Sequence, residues 1–194
     1  MSDAPLLQLS ALTVPGSRCG PLDLALRPGL SFVSGGEGCG KSRLLRLLAE
    51  AAAAQGLSHC LPQPLDPAQD ETLARDWLAA QQSAHGPHWR APLAGELVQA
   101  LALDEHLDKR LFMLSAGSRR KLGLVAAAAS DARLTLLDQP YAALDARSAR
   151  LLSELLAEAA QDPHRAWVLA DYALPAALQD LALAARVSLG GEDE

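Results

Sequence analysis

Cysteine is scarce in this chain: three residues in 194, Cys19, Cys39 and Cys60, none in a C-x-x-C pair and none with a histidine at metal-ligand spacing. That excludes a disulfide scaffold and a cysteine/histidine metal cluster, and a reducing compartment is the natural expectation. Aromatic residues are also rare, at 4%, and the 17 lysines and arginines fall short of the 23 aspartates and glutamates, for a net charge of −6. With no long basic run, a dedicated nucleic-acid binder is excluded and no nucleic-acid partner is expected. No apolar stretch approaches the roughly 18–20 residues that a membrane helix needs, and Met1–Leu12 has neither a basic start nor a continuous apolar stretch. Any service to a membrane is therefore expected from outside the bilayer. What is present, 49% hydrophobic and 21% charged residues, is the balance of a single domain, 1–194, able to bury a full core.

Apolar and polar residues alternate in part over 6–14 and 22–26, with Pro15, Gly16, Gly20 and Pro21 between them, which predicts two short half-buried strands joined by a turn. Leu30–Val33 is a short apolar run that ends on glycines 35, 36, 38 and 40, after which a helical pattern covers Ser42–Ala54 and stops at Gly56. Leu57–Leu61 reads as another buried strand. From Leu65 onward the chain turns polar and helical, carries Trp77 and Trp89, and predicts a helical subdomain over about 65–118. A helix from about Arg119 to Ala129, a strand over Leu134–Leu137, an amphipathic helix over Ala146–Ala160 and a strand over Ala166–Ala170 complete the order, and the terminal GGEDE reads as a frayed acidic tail.

Gly35-Gly36-Glu37-Gly38-Cys39-Gly40-Lys41-Ser42 fits G-x-x-x-x-G-K-[ST] between an apolar strand and a helix, the context that gives this pattern its specificity. Glycines let the backbone curl so that successive N–H groups converge on a phosphate. Lys41 adds a point charge for the β- and γ-phosphates, Ser42 a hydroxyl for Mg²⁺, and the helix N-terminus about half a positive charge. Cys39 occupies a position that any small residue fits, an inert filler before it is a redox switch.

Leu114-Ser115-Ala116-Gly117-Ser118 precedes a helix and puts Ser115 23 residues ahead of Asp138; Ala143-Leu144-Asp145 ends seven residues after Asp138. An aspartate ending a buried strand beside the phosphate-loop strand can hold the Mg²⁺ shell opposite Ser42, the role expected of Asp138. With Leu61-Pro62-Gln63 included, this order resembles the nucleotide-binding subunit of ATP-binding cassette (ABC) proteins over nearly the whole chain, Leu6–Leu189. That resemblance implies an α/β fold: a P-loop NTPase core with a mainly parallel sheet, a trimmed antiparallel β-subdomain and a helical subdomain. ATP and Mg²⁺ are the implied cofactors, with Gly35, Gly38, Cys39, Gly40, Lys41, Ser42, Ser115, Gly117 and Asp145 binding nucleotide and Ser42, Asp138 and Gln63 at the metal. Ser115 and Gly117 would bind the γ-phosphate held by the other subunit of a head-to-tail dimer, although Ser115 or Ser118 can equally serve as a plain helix cap. Gln63 would set its amide near Mg²⁺ or the attacking water, or be a loop residue between two prolines.

Three positions depart from the family pattern. After the Mg²⁺ aspartate the family has a glutamate that polarises water; this chain has Gln139, either its own residue or an isosteric stand-in for that glutamate, and loss of the base costs about 10²–10⁴ in rate. At the switch-histidine position, just after the Ala166–Ala170 strand, stand Asp171 and then Tyr172. No aromatic precedes Phe32, so the ring that stacks on adenine in the family, expected near Val14 and Pro15, is missing there, and base stacking is either absent or supplied by another group. Gln63 follows Lys41 by only 22 positions, too few for the usual extra hairpin. The compact size and LSAG segment are weakly similar to the haem-exporter type, and no substrate is carried over from it.

The expected function is an ATP-binding subunit of a transporter, cytoplasmic and peripheral on the inner face of the cell membrane. Its expected partners are an integral membrane permease and a second ABC subunit, the same or different. ATP hydrolysis is expected to be slow, with Gln139, Gln63 and Asp171 as the catalytic set. A second reading is a nucleotide-gated assembly or regulatory module with little hydrolysis. A third, a small-molecule P-loop kinase, is disfavoured by the LSAGS segment.

Overall fold

A computed structural model of the chain describes residues 4–190. Two short strands, β1 (Leu7–Leu12) and β2 (Leu22–Leu26), pair antiparallel, with Leu7 opposite Leu26 and Leu9 opposite Leu24. A second sheet holds β3 (Gly29–Ser34), β4 (His59–Cys60), β5 (Leu134–Asp138), β6 (Ala166–Asp171) and β7 (Ala185–Ser188) in the order β4-β5-β6-β3-β7. Each strand in it pairs parallel with its neighbours. The three inner strands read as near-continuous apolar runs because a parallel sheet is covered on both faces. Leu30–Val33, Leu134–Leu137 and Ala166–Ala170 are buried throughout.

Five helices accompany the sheets among the described residues: α1 (Lys41–Ala54), α2 (Ala74–His85), α3 (Ala91–Ala100), α4 (Ala116–Ala129) and α5 (Ala146–Ala160). The chain divides into two compact units. One comprises the described parts of Met1–Leu61, Arg133–Gln139 and Ser153–Glu194; the other comprises Pro62–Ala132 and Pro140–Leu152. In the first, Leu44, Leu45 and Leu48 of α1 are at most 1% exposed and join Leu7, Leu26, Val33, Leu136 and Val168 in one core. Their spacing puts the three leucines on one helical stripe, so α1 is fastened over the sheet by its apolar face. In the second, α4 contacts α2 and α3, and its run from Leu122 to Ala129 is entirely buried. A helix apolar all round belongs inside a core, and its four successive alanines let neighbours approach closely.

Several elements differ from the sequence reading. The strand expected over Leu57–Leu61 contracts to His59–Cys60 at the sheet edge, with Leu57 and Leu61 half-buried. α4 starts three residues before Arg119 because Ser115 caps it, accepting from the Ser118 N–H at 3.0 Å. β7 has no counterpart in the sequence pattern: its ARVS segment is short and alternates half-buried with exposed, a weak signal for an edge strand. Asp138 also ends a strand that is not next to the phosphate-loop strand, since β6 lies between β5 and β3. The GGEDE tail lies, from residue 191, outside the described residues.

Candidate functional site

The loop between β3 and α1 wraps around the Lys41 ammonium. Nζ donates to the carbonyls of Gly35 (2.6 Å) and Gly36 (2.7 Å), and the residue is 4% exposed. The chain turns into α1 at Gly40 with φ +100°, a left-handed conformation that glycine adopts without penalty. A Cβ there would come within 2.9 Å of Val14 Cγ1 and 3.7 Å of Ser17 Cβ, so the turn after β1 presses directly on the loop. Arg43, one turn into α1, donates from Nη1 to the Pro15 carbonyl and fixes that same turn. A cavity of about 210 Å³ opens here, lined by Gly38 through Arg43 with Arg46 and Gln139. At Gly36 and Gly38 an added Cβ would meet nothing within 4 Å, so the loop is an open cradle rather than a packed turn. An ammonium, a hydroxyl and a helix N-terminus facing an open glycine loop are the donor set that a phosphate group requires.

Because the sheet is parallel, the ends of β3, β5 and β6 reach the same edge, where open α/β sheets take their ligands. Ser34 is registered against Asp171, and Asp138 against Ala170. Asp138 is exposed; Gln139 is half-buried, and its N–H donates to the Ala170 carbonyl at 2.8 Å. Gln139 has φ +44°, an uncommon conformation for a residue with a Cβ. A ring stands over Lys41: Nζ lies 4.2 Å from the centre of the Tyr172 ring, a cation–π contact. Arg43 and Arg46, which the motif reading passed over, line the candidate site, and Tyr172, next to Asp171 at the switch-histidine position, meets Lys41 there. The first two could have been found from their i, i+3 spacing on the first turns of α1; nothing in the sequence announces the ring on Lys41. Among the described residues no three His, Cys, Asp or Glu side chains gather as a metal site. One carboxylate, Asp138, and one hydroxyl, Ser42, suit Mg²⁺ where phosphate oxygens complete its shell.

In the second unit the remaining motif residues come together around α4. Gly117 is buried, and a Cβ on it would overlap the Ala143 carbonyl oxygen, so only glycine fits. Lys121 Nζ reaches Asp145 Oδ2 at 2.6 Å, while Asp145 also accepts from the Ser148 N–H (2.8 Å) and hydroxyl (3.0 Å). The Lys121 bond first, and the two Ser148 bonds after it, hold the Asp145 carboxyl well below the usual carboxylate range. Gln63 is exposed on a loop whose flanking Pro62 and Pro64 pack at Gly123. Arg119 ties that loop to α4, with Nε donating to the Pro64 carbonyl at 2.6 Å and Nη2 lying 2.8 Å from Asp70. Trp77 is buried and Trp89 half-buried, its ring stacked with His85.

Comparison with known proteins follows the same lines. The sequence profile of the ABC transporter family matches residues 21–142. A taurine import ATP-binding protein from Mesorhizobium japonicum is 33% identical over 128 residues, which cover 58% of this chain and 50% of that protein. A cytochrome c biogenesis ATP-binding export protein from Xylella fastidiosa is 31% identical over 176 residues, 80% of this chain and 81% of that one. The chain thus spans half the length of the taurine relative and most of the cytochrome c biogenesis relative. A solved ATP-binding subunit of an ABC transporter superposes with a TM-score of 0.70 over 93% of this chain and 86% of its own, at 17% identity, a likeness of fold.

Proposed function

This chain belongs to the ABC transporter family, and on that premise we propose that it is the ATP-binding subunit of a transporter, working with a separate membrane permease and a second ABC subunit. The observation that carries the reading is the Lys41 loop at the same sheet edge as Asp138 and Gln139. In it Gly35–Ser42 hold the phosphate chain, Lys41 exchanges its loop carbonyls for phosphate oxygens, and Ser42 and Asp138 hold Mg²⁺. When bound, the metal supplies positive charge to the phosphate oxygens. Gln139 orients water through its amide without accepting a proton, so turnover is slow. Gln63 offers its amide to the nucleotide, and Ser115, Gly117 and Asp145 serve the nucleotide of the second subunit. Asp171, in register with Ser34, holds the loop that carries Tyr172, to whose N–H it is bonded at 2.8 Å.

No helix among the described residues is long and apolar enough to cross a membrane. A surface for a permease is supported by Leu65, Phe112 and Met113, which are 40%, 53% and 59% exposed and all belong to the second unit. Adjacent exposed apolar side chains such as Phe112 and Met113 mark contact surfaces. We place the subunit at the inner face of the cell membrane on the strength of that partner.

Titration calorimetry with ATP and Mg²⁺ tests the reading. Binding is expected, and Lys41→Ala should weaken it tenfold or more, since a hydrogen bond to a charged group is worth about 1.5–3 kcal/mol. Unchanged affinity in the variant would remove the loop from the site. The little-hydrolysis reading, in which the chain gates assembly rather than driving transport by turnover, is favoured by one observation, the amide at Gln139.

A further inference from the structure

We propose that this site reads the phosphate chain and not the base, so that it takes nucleoside triphosphates of any base, and inorganic triphosphate, with nearly equal affinity; the proposal rests on the nucleotide-binding reading above. The cavity holds about 210 Å³, below the roughly 300–1,000 Å³ of pockets that enclose a whole drug-sized ligand. It has room for the anionic tail, and its lining matches that tail. Three cations face it, Lys41 from within the loop and Arg43 and Arg46 from the exposed side of α1. Charge-assisted contacts to phosphate are indifferent to the base attached.

Recognition of a base needs a flat ring to stack on it or a fixed donor and acceptor at its edge. Stacking on an aromatic side chain is worth roughly fivefold to 150-fold in affinity. The segment that borders the cavity beside Gly40 is the turn Val14–Ser17. Val14 is buried, Pro15 and Gly16 carry no side-chain donor or acceptor, the Ser17 hydroxyl is engaged with Cys19 (2.7 Å to Sγ, and accepting from its N–H at 3.1 Å), and the Pro15 carbonyl already accepts from Arg43. A Cβ on Gly16 would come within 2.6 Å of the Arg43 guanidinium, so the guanidinium lies directly against this turn.

Of the three Phe, Trp and Tyr rings in this unit, two are shut inside the sheet and the third, half-exposed, lies at the phosphate end of the site. Phe32 and Trp167 are 4% and 5% exposed inside β3 and β6, and Tyr172 covers the Lys41 ammonium, the end of the site that takes phosphate. A guanidinium stacked on a base would add affinity without choosing among bases, because every base has a π-face.

Titration calorimetry of the full chain with Mg²⁺ and, in turn, ATP, GTP, CTP and sodium tripolyphosphate decides it. The four dissociation constants are expected within fivefold of one another, and Lys41→Ala should weaken all four by a common factor. Binding of ATP more than fivefold tighter than that of CTP or of tripolyphosphate, or a Lys41→Ala loss confined to ATP, overturns the proposal while leaving nucleotide binding intact. Failure of all four ligands to bind overturns the nucleotide-binding reading itself, and this one with it.

Discussion

Gln139 combines two features that a sequence shows only in part. Its amide can hold water but cannot take a proton, which is legible from residue type; its left-handed backbone, φ +44°, is not. Such a conformation costs about 1–3 kcal/mol and persists where surrounding structure enforces it. Here the enforcement is visible in the Gln139 N–H bonded to the Ala170 carbonyl of β6. Glutamate has the same shape, so Gln139→Glu should keep the backbone, keep ATP binding and raise phosphate release by about 10² or more, some 3 kcal/mol of barrier. Equal rates in steady-state assays of both forms would show that position 139 does not hold the base. Lys41, Ser42 and Asp138 were readable because each sits at a fixed offset within a motif or at a strand end. The contact of the Tyr172 ring with Lys41 is not legible, because no offset along the chain records which side chain a strand end lays over the loop.

Among the elements, legibility followed burial. The inner strands β3, β5 and β6 announce themselves as apolar runs, whereas β7 alternates weakly and β4 keeps two residues of the five expected. Strand order was the harder matter, because adjacency in a parallel sheet is set by crossovers that no local pattern records; β6 separates β5 from the phosphate-loop strand. α4 shows how one helix gathers distant motifs, with Ser115 capping its start, Gly117 seated at the Ala143 carbonyl and Lys121 bonded to Asp145. The last contact is pH-dependent in a definite direction. The Asp145 carboxyl is held below its ordinary value of about 3.9, so its stabilising contribution is complete above that value and fades as pH falls below it. The stability difference between the native chain and Asp145→Asn, measured by urea melts, should be constant from pH 7 to about 4.5 and shrink toward pH 3. A difference that does not change down to pH 3 would mean that the Lys121–Asp145 bond adds nothing to the fold.

The two compact units carry complementary chemistry: one holds the Lys41 loop, Asp138 and Gln139, the other Ser115, Gly117 and Asp145. On the proposed function, the second unit would serve a nucleotide bound by another copy or by a related subunit, and slow turnover at Gln139 would prolong the joined state. The variant that tests this must leave the second unit intact. Any side chain at Gly117 fails that requirement, because its Cβ would overlap the Ala143 carbonyl. Ser115 meets it: its hydroxyl caps α4 through the Ser118 N–H, and aspartate is as good an N-cap as serine while its charge favours a helix N-terminus. Ser115→Asp should therefore melt at the native temperature or slightly above. The same carboxylate would stand against a γ-phosphate presented by the other subunit, and like charges at such a contact cost several kcal/mol. In sedimentation with ATP and Mg²⁺, the native chain is expected to dimerise and Ser115→Asp to remain a monomer with ATP affinity unchanged. Dimers of equal strength in both proteins would place Ser115 away from the shared phosphate and leave it with the helix cap as its whole role.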